Sequence, residues 1–173
     1  MAEWNMLTLV GEDKPGIVST VTEALYAAGC SLGEASMIRL GGNFTIMMMV
    51  SGGHSPDDLE HAVRGAAQDL GLRFHLDPLE GGLHRHVVPN IQVRVAGADR
   101  AGIVAQVTGA LAATGFNILE LESDVAGAAD KPVYIMNIQG YSEATVETLE
   151  AAVSALADEG ISVDISPVET LIG

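Results

Sequence analysis

The sequence is poor in positive charge. Among 173 residues there are 8 lysines and arginines against 23 aspartates and glutamates, a formal net charge of −15. Duplex DNA is held by Lys and Arg that neutralise phosphates, and anionic membrane surfaces attract the same residues. The few basic residues are scattered. Neither direct nucleic-acid binding nor membrane binding is therefore expected. Cysteine occurs once, at Cys30. An internal disulfide is impossible, which fits a reducing compartment. Aromatic residues make up only 4% of the chain, so the core must be aliphatic. No apolar run is long enough to span a bilayer. Met1-Ala2-Glu3-Trp4 has neither the basic region nor the apolar run of a signal peptide, so the expected location is the cytoplasm. Catalytic signatures are missing too: there is no Gly-x-Ser-x-Gly elbow, no Walker loop and no His-Glu-x-x-His. No catalytic residue, no metal and no cofactor is expected.

What the chain does have is a repeat. Gly11-Glu12-Asp13-Lys14-Pro15-Gly16-Ile17-Val18 returns as Gly97-Ala98-Asp99-Arg100-Ala101-Gly102-Ile103-Val104, an offset of 86 (position 97 against 11). Aligning Gly11–Gly29 with Gly97–Gly115 gives 11 identities in 19 positions. Unrelated amphipathic helices would share apolar positions, but not also both loop glycines, the aspartate, the threonine and the terminal glycine. Each copy reads as a strand, a glycine loop and a helix start. A helix start presents unpaired N–H groups and a partial positive charge, which suit an anion such as a carboxylate.

Periodicity and breakers extend the repeat into two similar units. In the first, a strand over Trp4–Val10 is followed by a helix to about Ala28. Asp13 is its expected N-cap, and Pro15 lies near the first helical position. Ile17, Val18, Val21, Leu25 and Ala28 form the apolar stripe, and Gly29 stops the helix. Strands follow over Ser31–Leu40 and Phe44–Val50, joined by a hairpin turn at Gly41-Gly42-Asn43. Ser55-Pro56-Asp57-Asp58 opens a second helix, and Leu72–Leu79 is a fourth strand. The order β-α-β-β-α-β is the ferredoxin-like split unit. Residues 81–89 read as a linker between domains at 1–80 and 90–173. The second half repeats the order. Gly127–Pro132 is read there as a longer connection than the matching turn, and Ser142 as a helix cap. The fold class is α+β, two ferredoxin-like domains with antiparallel sheets. Units of about 80 residues are marginal alone, so packing together or forming a homodimer would help.

Some residues invite sharper readings than they support. Met47, Met48 and Met49 are read as core packing rather than a soft-metal site. His84-Arg85-His86 has the spacing of two ligands on one strand face, but two ligands make a weak site, and a solvated linker is preferred. His54, His61 and His75 are scattered. Cys30 stands where Phe116 stands in the second copy, and is read as a small buried hydrophobe. Thr22 and Thr108 are read as helix-packing or backbone contacts.

On Gly11, Asp13, Lys14, Pro15, Gly16, Ile17, Val18 and Gly29, and on Gly97, Asp99, Arg100, Gly102, Ile103, Val104, Gly115, Asn117 and Ile118, both halves resemble the ACT domain, a small regulatory module that binds amino acids. Two ACT-like halves in one chain of this length resemble the glycine cleavage repressor group. Those proteins are understood to act through a protein partner rather than by touching DNA. The resemblance implies a non-enzymatic regulator that responds to a small amino acid such as glycine or serine. It also implies a protein partner, either a transcription activator or a metabolic enzyme. It implies ligand contacts from Asp13, Lys14, Pro15, Gly16 and Ile17, with Ser31 and Leu32, and from Asp99, Arg100, Ala101, Gly102 and Ile103, with Asn117 and Ile118. The family's asparagine contacts the ligand's polar head across a domain interface. Asn117 offers an acceptor and two donors, whereas Ser31 at the matching place has less reach, so the set around Asn117 is favoured. A ligand-independent interaction module, or a detached regulatory subunit of an amino-acid or one-carbon enzyme, is the alternative.

Overall fold

The structure, a computed structural model, describes residues 4–52, 56–79, 87–98, 102–128 and 131–168. It divides into two compact units, Met1–His84 and Arg85–Gly173. The first contains β1 (Trp4–Glu12), α1 (Ile17–Ala27), β2 (Cys30–Leu40), β3 (Asn43–Gly52), α2 (Pro56–Leu70) and β4 (Arg73–Pro78). The second contains β5 (Ile91–Ala98), α3 (Ile103–Ala112), β6 (Asn117–Ala128), β7 (Lys131–Tyr141), α4 (Val146–Val153) and β8 (Ile161–Pro167). Both are ferredoxin-like βαββαβ units. Their sheets run in the orders β2-β3-β1-β4 and β6-β7-β5-β8, with every pairing antiparallel.

Strand alternation decides which side of each sheet is covered. In the first unit Leu7 and Leu9 pair with Met48 and Ile46, so these side chains share a face. They pack with Ile17, Val21 and Leu25 of α1 and with Leu59 and Val63 of α2. The second core repeats this with Val93, Val95, Met136 and Ile138 against Ile103, Val107, Leu111, Leu149 and Val153. Apolar residues four apart on α1 and α3 thus carry the buried stripe. Val18 does not belong to it: it is 42% exposed and outside the core cluster. The methionine run splits by the same rule. Met48 enters the core, while Met47 and Met49 lie on the opposite face.

The hairpins differ in length, but not as the sequence suggests. Leu40 pairs with Asn43, so Gly41 and Gly42 form a two-residue turn, and both have positive φ. That is the combination a primed turn requires. In the second unit four residues of the expected long connection are instead paired strand, Gly127 with Pro132 and Ala128 with Lys131; Ala129 and Asp130 lie outside the described residues. Phe44 pairs with Gly11, and Tyr134 with Gly97. The offset between copies therefore grows from 86 to 90 across the hairpin (134 against 44), and the additional residues lengthen its arms.

Ser142 is also not the cap of α4. Thr145 takes that place, its hydroxyl accepting from the Thr148 N–H at 3.4 Å. The Glu147 carboxyl next to it lies below its ordinary pKa, held there by its own backbone N–H and then by the Thr145 hydroxyl. Ser142 is buried and tied to Asn90, which precedes β5. The Asn90 amide donates from Nδ2 to the Ser142 carbonyl at 2.8 Å, and Oδ1 accepts from the Ser142 N–H at 3.0 Å. A side chain so placed clamps the exit of β7 to the entry of β5. Asn90→Ala orphans both groups, and the expected loss is about 1–3 kcal/mol, measured by urea unfolding. No change in midpoint would show that water replaces the clamp.

Candidate functional site

The first glycine loop leaves β1 at Glu12 and enters α1 at Ile17. Gly16 is the residue before the helix and has φ 89°, a left-handed backbone that glycine adopts without steric penalty. Its carbonyl accepts from the Thr20 N–H at 3.0 Å and from the Ser19 hydroxyl at 2.9 Å. No side chain caps α1. Asp13, the expected cap, is engaged elsewhere. Its N–H donates to the Gly42 carbonyl at 3.1 Å, and its carboxylate pairs with the guanidinium of Arg39 on β2. With its carboxylate held by Arg39, Asp13 does not serve the helix amides. Lys14 pairs with Glu12 at 3.2 Å, and Pro15 is exposed in the turn.

Beside this loop lies an open cleft of about 330 Å³. Met37 and Phe44 supply apolar surface from β2 and β3; Ile17, Val18 and Ser19 line it from α1; Asp13, Lys14 and Gly16 line it from the loop. Phe44 is buried and Met37 is 51% exposed, so the cleft has an aliphatic and aromatic floor with charges at its mouth.

In the second unit Gly102 precedes α3 with φ 93°, and its carbonyl accepts from the Gln106 N–H at 2.9 Å. Asp99, Arg100 and Ala101 lie outside the described residues. Strand register identifies the residues that replace those of the first cleft. Val125 pairs with Tyr134, as Arg39 pairs with Phe44. Ser123 pairs with Met136, as Met37 pairs with Ile46. The cation and the thioether thus have no counterpart at those places.

The first unit by itself does not bring together its set of expected ligand residues, and of the second set only Gly102, Ile103, Asn117 and Ile118 are described. Ser31 pairs with Ser51, and the loop end of the sheet is marked by Phe44, seven residues back along β3. At about 3.3 Å per residue the two are roughly 23 Å apart. Asn117 pairs with Tyr141, seven residues along β7 from Tyr134, which pairs with Gly97. Ser31 and Leu32, and likewise Asn117, are exposed at the far end of their sheets, and Ile118 packs partly on the core. Met37 and Phe44 are among the cleft residues the sequence reading passes over, as is Arg39, which holds the carboxylate of Asp13. Their signal is the Gly41-Gly42 turn: once its length is two, Arg39 must lie opposite Phe44, next to the Gly11 row.

A scan of family models matches the ACT domain at residues 5–77 and again at 90–166. The chain belongs to the ACT domain family. Among curated proteins this ACT chain is 28% identical over 162 residues to the glycine cleavage system transcriptional repressor of Escherichia coli K12. The alignment covers 89% of this chain and 84% of the relative. The protein of the same description from Shigella flexneri matches to the same extent. Among solved structures, an unknown protein from Galdieria sulphuraria superposes with a TM-score of 0.79 at 24% identity, covering 98% of this chain and 100% of that one. The last match bears on the fold of the ACT pair.

The remaining residues singled out by the sequence take structural places. Thr22 and Thr108 donate back to the Val18 and Val104 carbonyls at 2.9 and 2.8 Å. Cys30 packs partly buried against the first core, where burial, and then the charge of Asp58, pushes its thiol pKa up. A raised pKa leaves less thiolate at neutral pH, and the thiolate is the reactive form. His84 and His86 lie outside the described residues, as does His54; His75 pairs with Asp77 at 3.0 Å. No helix among the described residues is long and apolar enough to cross a membrane.

Proposed function

We propose that this chain is a non-enzymatic regulator that responds to a small amino acid, with glycine and serine the first candidates. On this reading it acts in the cytoplasm through a protein partner, a transcription activator or a metabolic enzyme, without touching DNA. The observation that carries the reading is the alignment with the glycine cleavage system transcriptional repressor, which runs through both ACT units. The net charge of −15 supports the partner-mediated route, because phosphate contacts need cations. The cleft beside Gly16 supports the response to a ligand, since it joins an apolar floor to charged groups of both signs. Ligand binding can shift a regulatory equilibrium only by its differential affinity for the two states.

The test is a thermal-shift screen of refolded, ligand-stripped protein against the common amino acids. A ligand at about a hundred times its dissociation constant stabilises by about 2.7 kcal/mol. A selective shift is the expected result, and silence from every amino acid would sink the sensing half. The partner half is checked by affinity capture and mass spectrometry, where recovery of a transcription activator or metabolic enzyme is expected. One observation favours a ligand-independent interaction module instead. Ile38 and Leu40 on edge strand β2 are 63% and 76% exposed, and such an edge can pair with another chain. Capture of an enzyme whose rate then changes, without any amino-acid shift, would decide for that reading.

A further inference from the structure

We propose that the helix-free face of the first sheet docks the helix-free face of the second unit of another copy of this chain. Both α1 and α2 pack on the side of Leu7 and Leu9. Register places Met47, Ile38 and Leu40 on the opposite side, where they are 46%, 63% and 76% exposed. Along β4 the same side carries Arg73, opposite Val10, and His75, opposite Thr8. Arg73 is exposed and has no ion-pair partner among the described residues. Trp4 and Met49 crowd Gly33 at the far end of this face, so its free area is the half next to the hairpin.

The second unit presents the complement. Its helix-free side carries Glu120, Glu122 and Asp124 in alternation on β6, and Asp164 on β8 beside Arg94. Val133 and Ile135, 39% and 37% exposed, are its apolar patch. Sheets packed face to face keep their strands nearly aligned. Turning one face onto the other about an axis parallel to the strands puts β6 over β4, because the orders β2-β3-β1-β4 and β6-β7-β5-β8 correspond. Row by row, Asp124 then faces Arg73, Glu122 faces His75, and Ile135 meets Val10. The like pairings fit worse. Two second-unit faces so turned set Glu122 over Asp164, and two first-unit faces bury Arg73 against Ile38. Charge complementarity of this kind selects the partner and fixes the register. Four strands wide and about five residues long, each free half-face covers roughly 300 Å². Each chain carries both faces, so two copies make the contact twice. Together the two contacts bury roughly 1,200 Å², the low end for a specific interface. Made reciprocally, the contact closes on itself and stops at a dimer.

The test is analytical sedimentation of ligand-free, full-length protein over a wide range of concentration. A dimer in reversible equilibrium with monomer is expected. Met47→Asp should weaken it at least about tenfold, because a carboxylate then enters the apolar centre unpaired. Arg73→Glu should weaken it at least about tenfold too, by setting a like charge against Asp124. The pair of changes Glu122→Lys and Asp124→Lys should weaken it alone, yet restore most of the association when added to Arg73→Glu. All variants should keep the wild-type circular dichroism spectrum. A monomer at every concentration overturns the proposal. So does a dimer that Met47→Asp leaves intact: it would be paired along the β2 edge, in which Met47 on β3 has no part. Failure of the charge-reversed chain to recover would overturn the placing of β6 over β4.

Discussion

Leu25→Ala is expected to destabilise the first unit by about 2–5 kcal/mol, and Leu111→Ala the second by as much. Both leucines are fully buried, and each packs against its own sheet and second helix. The loss combines the transfer free energy of the deleted methyl groups with a cavity that close-packed neighbours only partly fill. Domain stabilities are of order 5–15 kcal/mol, so either change removes a large share. The informative control is Val18→Ala, one turn from Val21 on the same helix. Pattern places Val18 in the apolar stripe, but the structure exposes it at the cleft. Its truncation should stay within about 0.5 kcal/mol. Urea unfolding at constant m-value measures all three. Should Val18→Ala cost as much as Leu25→Ala, the cleft wall would have to be covered in solution, by a ligand or by another chain.

That contrast marks where the sequence is legible. The glycines before α1 and α3, the helix-stopping glycines Gly29 and Gly115, and the order of elements are local signals, and the structure returns them. What pattern could not supply is information set by partners distant in the chain. Asp13 has the residue type and position of a cap, yet an arginine 26 positions on (39 against 13) holds its side chain. Ser142 looks like a helix start because serine usually does, yet Asn90 holds its backbone, and a threonine three residues later caps α4. Gly127–Pro132 is rich in turn formers, yet Gly127, Ala128, Lys131 and Pro132 are held by strand pairing. The expected ligand residues are a separate case, because their contact is expected across a domain interface; within each unit, register places Gly16 and Ser31, and Gly102 and Asn117, at opposite ends of the sheet. The loop half was visible in the sequence. The Met37 and Phe44 side of the cleft, and the place of Arg39 opposite Phe44, depended on the hairpin register, which follows from a turn length of two.

Gly16→Val is expected to cost about 1–3 kcal/mol and, on the proposed reading, to abolish the thermal shift given by an amino acid. The cause is conformational rather than steric. A Cβ at this position would meet only the Ser19 hydroxyl, at 3.9 Å. The φ of 89° is what valine resists, because a β-branched side chain is a genuine outlier there. Relaxing that strain would turn the loop, pull the Gly16 carbonyl from the Thr20 N–H, and move Asp13 relative to Arg39. Gly16→Asn separates the two roles of the glycine. Asparagine tolerates the left-handed region, so most of the stability should return by urea unfolding. If the amino-acid shift returns with it, the glycine serves the turn alone. If stability returns without the shift, the ligand needs the space above the start of α1 that only a glycine leaves open, and the loop itself is part of the binding surface.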